Sequence, residues 1–215
     1  MGAAMAEITA QLVKQLRDRT GAGMMECRNA LVEANGDLDA AEVVLRKRGI
    51  AAAAKKAGRS TRQGVIGTYV HPGSQLGVLV EVNCESDFVA RTQEFLNLVH
   101  DIAMQVAASD PRWIRREDVP AAVLDKEKEI ARDRARNEGK KENVLDRIVE
   151  GRLEKFYEEA CLLDQPFIKE NTLTIGNLIK TRIAKFGENI SISRFVRYKV
   201  GDSADGAGPD VAAQA

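Results

Sequence analysis

The stretch that decides the fold is Gly64–Asn83, GVIGTYVHPGSQLGVLVEVN. Before it the apolar residues recur at helical spacing; inside it the period drops to two. His71-Pro72-Gly73-Ser74 supplies turn chemistry between two β-rich runs, so the segment reads as a β-hairpin. Leu76, Val78, Val80 and Val82 alternate onto one face, which is the face a core would take. A hairpin cannot bury that face alone and needs a layer of helices against it.

The surrounding chain supplies helices on both sides. Upstream, Ile8, Leu12, Val13 and Leu16 mark a first helix capped by Thr9, and Thr20-Gly21-Ala22-Gly23 breaks it. Met24, Met25, Cys27, Ala30 and Leu31 mark a second. Asn35-Gly36-Asp37 is a stop-and-restart signal, Gly36 closing one helix and Asp37 capping the next. Leu38, Ala41, Val44 and Leu45 mark a third, for which Gly49 reads as the stop. Residues 1–50 thus form a three-helix module with a thin core. Residues 51–63 read as a partly helical linker.

Downstream of the hairpin, residues 87–108 read as one helix that Asp110-Pro111 ends. A helical insertion covers about 112–160. Its first half is polar, with Ile130 standing out and Pro120 in place for a helix start. Its second half has an amphipathic face (Val144, Leu145, Ile148, Leu153, Phe156, Tyr157) interrupted by Gly151. Asp164–Ile168 reads as a loop carrying an exposed aromatic, and residues 174–187 as a short helix. Residues 189–200 alternate as a third strand, with Ile190, Ile192, Val196, Tyr198 and Val200 on one face. The expected class is α+β: an N-terminal helical module, a linker, and a small antiparallel sheet packed with helices over 64–200. Residues 201–215 read as a disordered tail.

Composition narrows the function. The 215 residues carry 32 basic and 32 acidic side chains, so no net charge argues for nucleic acid. Three scattered cysteines (Cys27, Cys84, Cys161) give neither a disulfide framework nor metal-ligand spacing, and suit a reducing compartment. No apolar run approaches a membrane span. A cytoplasmic protein without metal, cofactor, membrane or direct nucleic-acid partner is expected. Residues 20–23 are not followed by Gly-Lys-Ser/Thr, so they form no P-loop, and residues 64–67 open a strand and so form no dinucleotide fingerprint. With His71 and His100 isolated, no catalytic residue is assigned and the chain does not read as an enzyme.

What remains are apolar or aromatic residues at junctions: Met24-Met25 at a helix start, Asp87-Phe88 where a strand hands over to a helix, Phe167-Ile168 in a loop, and Phe186-Gly187 at a helix end. Each has a plainer explanation: Asp87 as an N-cap, Phe88 as a packing residue, a methionine as a lone exposed side chain.

The motifs together resemble a known family. LVKQLRDRTGAGMMECRNALVEANGDLDAAEVVLRKRG is similar to the N-terminal, ubiquitin-associated-like module of bacterial elongation factor Ts. VLVEVNCESDFVAR resembles that family's strand and T-D-F-V motif, with Ser86 in place of Thr. IAMQVAAS, VEGRLEKF, QPFI and GENISI resemble its later segments. The resemblance implies a nucleotide-exchange factor that binds the GTPase elongation factor Tu and releases its GDP. It implies Asp87 and Phe88 as the residues entering the GTPase, flanked by Ser86 and Val89. It implies Met24 and Met25 as a second contact, and Phe186-Gly187 and Phe167-Ile168 as others. The single hairpin and closing strand resemble the family's short form, which implies a homodimer through the sheet and a two-plus-two complex. The competing reading is a non-catalytic interaction scaffold whose helical module binds a partner.

Overall fold

The computed structural model describes residues 8–202; the N-terminal seven residues and, of the tail expected over 201–215, residues 203–215 lie outside the described residues. In chain order the elements are α1 (Ala10–Thr20), α2 (Met24–Glu33), α3 (Leu38–Ala54), β1 (Gln63–Val70), β2 (Leu76–Cys84), α4 (Asp87–Ala90), α5 (Gln93–Ser109), α6 (Ala121–Asn137), α7 (Glu142–Ala160), β3 (Pro166–Phe167), β4 (Glu170–Thr174), α8 (Ile175–Phe186) and β5 (Ile190–Lys199). The protein is α+β, with helices preceding a small antiparallel sheet. Among the described residues, 8–61 cluster with 179–190 as one compact unit, and 62–178 with 191–202 as another.

In the first unit, local signals set the helix ends. The Thr9 hydroxyl accepts from the Leu12 amide, and Gly21 at φ +67° closes α1 by donating to the Arg17 carbonyl. Asp37 caps α3 by accepting from the Asp39 and Ala40 amides, both at 2.9 Å. Val13, Leu16, Cys27, Ala30, Leu31 and Ala41 form the buried core, with Leu12, Leu38, Val44 and Leu45 around it. Gly49 does not end α3, which runs on to Ala54. A Cβ at Gly49 would lie 3.2 Å from Cβ of Ala184 on α8, so the glycine marks a close approach of two helices. The Asn189 side chain fixes the chain beyond α3 by donating to the carbonyls of Ala57 (3.3 Å) and Arg59 (2.8 Å).

In the second unit the sheet order is β1-β2-β5. β1 and β2 pair antiparallel from Gln63 opposite Cys84 to Val70 opposite Gly77. Val78, Val80, Val82 and Cys84 are buried on one face against Phe95, Leu98, Val99 and Ile102 of α5. Gly67 lets β1 sit on α5: a Cβ there would overlap the Val99 side chain. The other face keeps Ile66, Val70, Leu79 and Tyr198 exposed, beside an ion pair between Arg194 and Glu81 at 2.8 Å. Tyr198 and Val200 therefore do not join the core with Ile190 and Ile192. The phase shifts along β5: Ser193 and Arg194 are successive exposed residues, and Arg197 turns inward to donate to the Ala107 carbonyl.

The segment read as one helix over 87–108 is two. Arg91-Thr92 separates α4 from α5, and the Thr92 hydroxyl caps α5 by accepting from the Phe95 amide at 3.3 Å. α6 and α7 form a helical hairpin in which Ala131, Ala135, Leu145 and Val149 are buried. Gly151 does not interrupt α7. At the base of the hairpin Arg116 binds Glu154 through both terminal nitrogens at 2.8 Å, binds Asp164 through Nε at 2.9 Å, and stacks over Tyr157.

Candidate partner-binding site

The residues of NCESDFVAR form a hydrogen-bonded junction. Cys84 ends β2 buried, and its thiol donates to the Ser86 carbonyl at 3.1 Å. Ser86, not Asp87, is the N-cap of α4, with its hydroxyl accepting from the Val89 amide at 3.4 Å. Asp87 is thereby left in the first turn, where its carboxylate meets Arg91 one turn on at 2.9 Å. Ala90 is 6% exposed and anchors the turn, while Val89 is half-buried. Thr92 ties the exit by donating to the Val89 carbonyl at 2.8 Å. On this mount Phe88 is 81% exposed. A ring that large left in water is not a packing residue, so the plainer reading of Phe88 as core fails.

Phe167 is not the exposed aromatic that the sequence suggested. Phe167 is 6% exposed, and Ile168 is the outward side chain at 42%. They lie in a two-stranded hairpin, β3 with β4, whose strands are too short to show a period in the sequence. Ile168 and Lys169 form its tip.

The first unit carries the other candidates. Met24 and Met25 open α2 and are 47% and 64% exposed. Their helix start is held by Glu26, whose carboxylate accepts from the Gly23 amide at 3.2 Å. Gly187, at φ +75°, ends α8 by donating to the Ile183 carbonyl, and Phe186 beside it is half-buried. Lys185 brings the two segments together: its side chain lies on Gly21, within 2.8 Å of where a Cβ would stand. Sequence reasoning missed Lys185 as a bridge, since nothing local pairs positions so far apart.

Among the described residues, no three of His, Cys, Asp and Glu gather as metal ligands, and no helix is long and apolar enough to cross a membrane. The three cysteines are buried and form no disulfide. Burial, with Asp164 nearby, pushes the Cys161 thiol up to about 11, and burial also raises Cys27. His71 accepts or donates at 2.9 Å with the Tyr69 hydroxyl, and His100 meets the same ring edge-on.

Most of the candidate residues thus stand exposed or half-buried on hydrogen-bonded turns and helix ends, with Phe167 the buried exception. The family model described as Elongation factor TS matches residues 40–203. Elongation factor Ts of Solibacter usitatus (strain Ellin6076) is 70% identical over 199 residues, 93% of this chain and 94% of the relative. That of Carboxydothermus hydrogenoformans is 56% identical over 207 residues, covering 96% and 95%. That of Koribacter versatilis (strain Ellin345) is 60% identical over 195 residues, covering 91% and 89%. The chain belongs to the elongation factor Ts family, and is by that membership a translation elongation factor.

Proposed function

We propose that the chain is a guanine nucleotide exchange factor of the cytoplasm, binding elongation factor Tu·GDP and promoting release of the nucleotide. The observation that carries this is the exposure of Phe88, at 81%, on a junction tied from Cys84 to Thr92. Such a side chain can enter an apolar gap in a partner at little entropic cost, because its backbone is already fixed. Asp87 brings a carboxylate beside it, suited to disturbing the Mg²⁺ and phosphate surroundings of a bound nucleotide. No bond is made or broken by the factor. It binds the nucleotide-free GTPase more tightly than the GDP form, and by reciprocity weakens GDP binding equally. A 10⁴-fold shift needs about 5.5 kcal/mol of differential affinity.

Met24 and Met25, flexible and polarizable, form a second contact on a module of ubiquitin-associated-like type. Ser86 and Val89 frame the wedge; in the same unit Ile168, anchored by Phe167, is a further contact, and Phe186 and Gly187 are further contacts of the first unit. The exposed sheet face bearing Ile66, Val70, Leu79 and Tyr198 supports a homodimer and a two-plus-two complex, since an uncovered apolar face favours pairing with a second copy. No nucleic acid or membrane contact is part of the reading.

The test is release of a fluorescent GDP from elongation factor Tu, followed by stopped flow with increasing factor. Acceleration is expected; a factor that binds without accelerating release is the interaction scaffold instead. Light scattering at micromolar concentration tests the dimer, and a monomeric mass counts against it.

A further inference from the structure

Two glutamines of the second unit are buried where apolar residues are the rule. Gln105 is 0% exposed on the core face of α5, and Gln165 is 2% exposed ahead of β3. A buried primary amide is tolerated only when its donors and acceptor are matched. Here they are. Gln105 Nε2 donates to Gln165 Oε1 at 3.1 Å, to the Ser109 hydroxyl at 3.0 Å and to the Pro166 carbonyl at 3.2 Å. Gln105 Oε1 accepts from the Ile168 amide at 2.9 Å. Gln165 Nε2 donates to the carbonyls of Glu159 at 2.9 Å and Ser109 at 3.4 Å. One turn before Gln105, on the same side of α5, Asp101 binds Lys169 at 2.6 Å. The tip of the β3–β4 hairpin is therefore pinned to α5 at two successive residues, and Ile168 is the side chain left facing water.

Leucine or methionine at position 105 would fill the core without the amide's burial cost. What the amides add is a directional fix on a tip too small to hold itself, since two short strands are marginal alone. We infer that Gln105 and Gln165, seconded by Asp101 and Lys169, are positioning residues that set Ile168 as a contact for the GTPase. Gln105 shares α5 with the residues that follow the Phe88 mount, so one helix fixes both contacts of this unit. The inference rests on the exchange reading above and adds to it the device that orients one of its contacts.

The experiment is a double-mutant cycle on exchange with elongation factor Tu and fluorescent GDP, using Gln105→Met and Ile168→Ala. Ile168→Ala is expected to raise the factor concentration for half-maximal release about five- to tenfold, by losing part of one apolar contact. Gln105→Met should raise it comparably, more than it lowers the maximal rate. In the Ile168→Ala background Gln105→Met should add nothing, because its effect passes through Ile168. Hydrogen exchange at the Ile168 amide should quicken in Gln105→Met. Lys169→Met, which leaves no buried hole, should show the same masking and serves if Gln105→Met folds poorly. Penalties that multiply in the double variants, or an Ile168→Ala variant equal to wild type, overturn the positioning role while exchange by the wild type stands. A wild type that does not accelerate release overturns the exchange reading, and this inference with it.

Discussion

Replacing Phe88 by alanine separates a wedge from a core residue, and the structure sets both magnitudes. At 81% exposure only about a fifth of the ring is covered by its own chain. With a Phe side chain burying about 150–250 Å², the lost coverage is roughly 30–50 Å², about 1 kcal/mol at 25 cal/mol per Å². In a chain of this size that lowers the melting temperature by about 2–4 °C. If the ring is buried completely in the GTPase, the same truncation removes about 1.5–3 kcal/mol of binding. Affinity for elongation factor Tu should then fall about 10- to 150-fold. Stopped-flow release of fluorescent GDP, titrated with factor, reads the second quantity, and a thermal melt reads the first. Normal exchange by Phe88→Ala refutes the wedge. Lost exchange accompanied by a drop of well over 5 °C refutes the claim that the ring is free of the core.

Three further outcomes follow from other parts of the chain. Gly67→Ala should destabilise by about 1–3 kcal/mol, because the new methyl overlaps Val99, and Val99→Ala should recover part of it in the double variant; chemical denaturation checks this. Glu81 is held below its ordinary value by hydrogen bonds from Asn83 and then Arg194. The stability it supplies is present above the ordinary value of 4.5 and is lost as pH falls through the lowered one. Glu81→Gln should therefore flatten the acid limb of a pH–stability curve by about 0.2–1 kcal/mol, the worth of a surface pair. The buried thiols should react slowly with a disulfide reagent in the native protein and rapidly in denaturant, and non-reducing electrophoresis should show no cross-linked dimer.

The helices of the first unit were legible because caps and periods agree there: Thr9, Gly36 and Asp37 each do in space what their positions suggest. The hairpin was legible for the same reason. Gly49 was not, because a glycine at a helix stop and a glycine under a neighbouring helix look alike in one dimension. The break before α5 was hidden because Thr92 caps without glycine or proline. At the mount, Ser86 and Asp87 are adjacent residues that both cap well, and only the geometry chooses Ser86. Phe167 was read outward because Gln105 and Gln165, which hold its hairpin, lie about sixty residues apart and no local pattern pairs them. The candidate contacts surfaced as apolar residues without an evident core role. Their braces, Lys185 and the two glutamines, did not, since bracing is a long-range property.

The close approach of Gly49 to Ala184 and the grip of Asn189 on residues 57 and 59 bear on how the molecule is made. Chains emerge from the ribosome N-terminus first, and early segments ordinarily fold as they appear. Here the first three helices have their core within residues 8–45, whereas Gly49, Ala57 and Arg59 meet their partners only once residues 184–189 have been added. A chain that has not yet reached residue 185 therefore presents Met24 and Met25 without the Lys185 side chain that lies on Gly21.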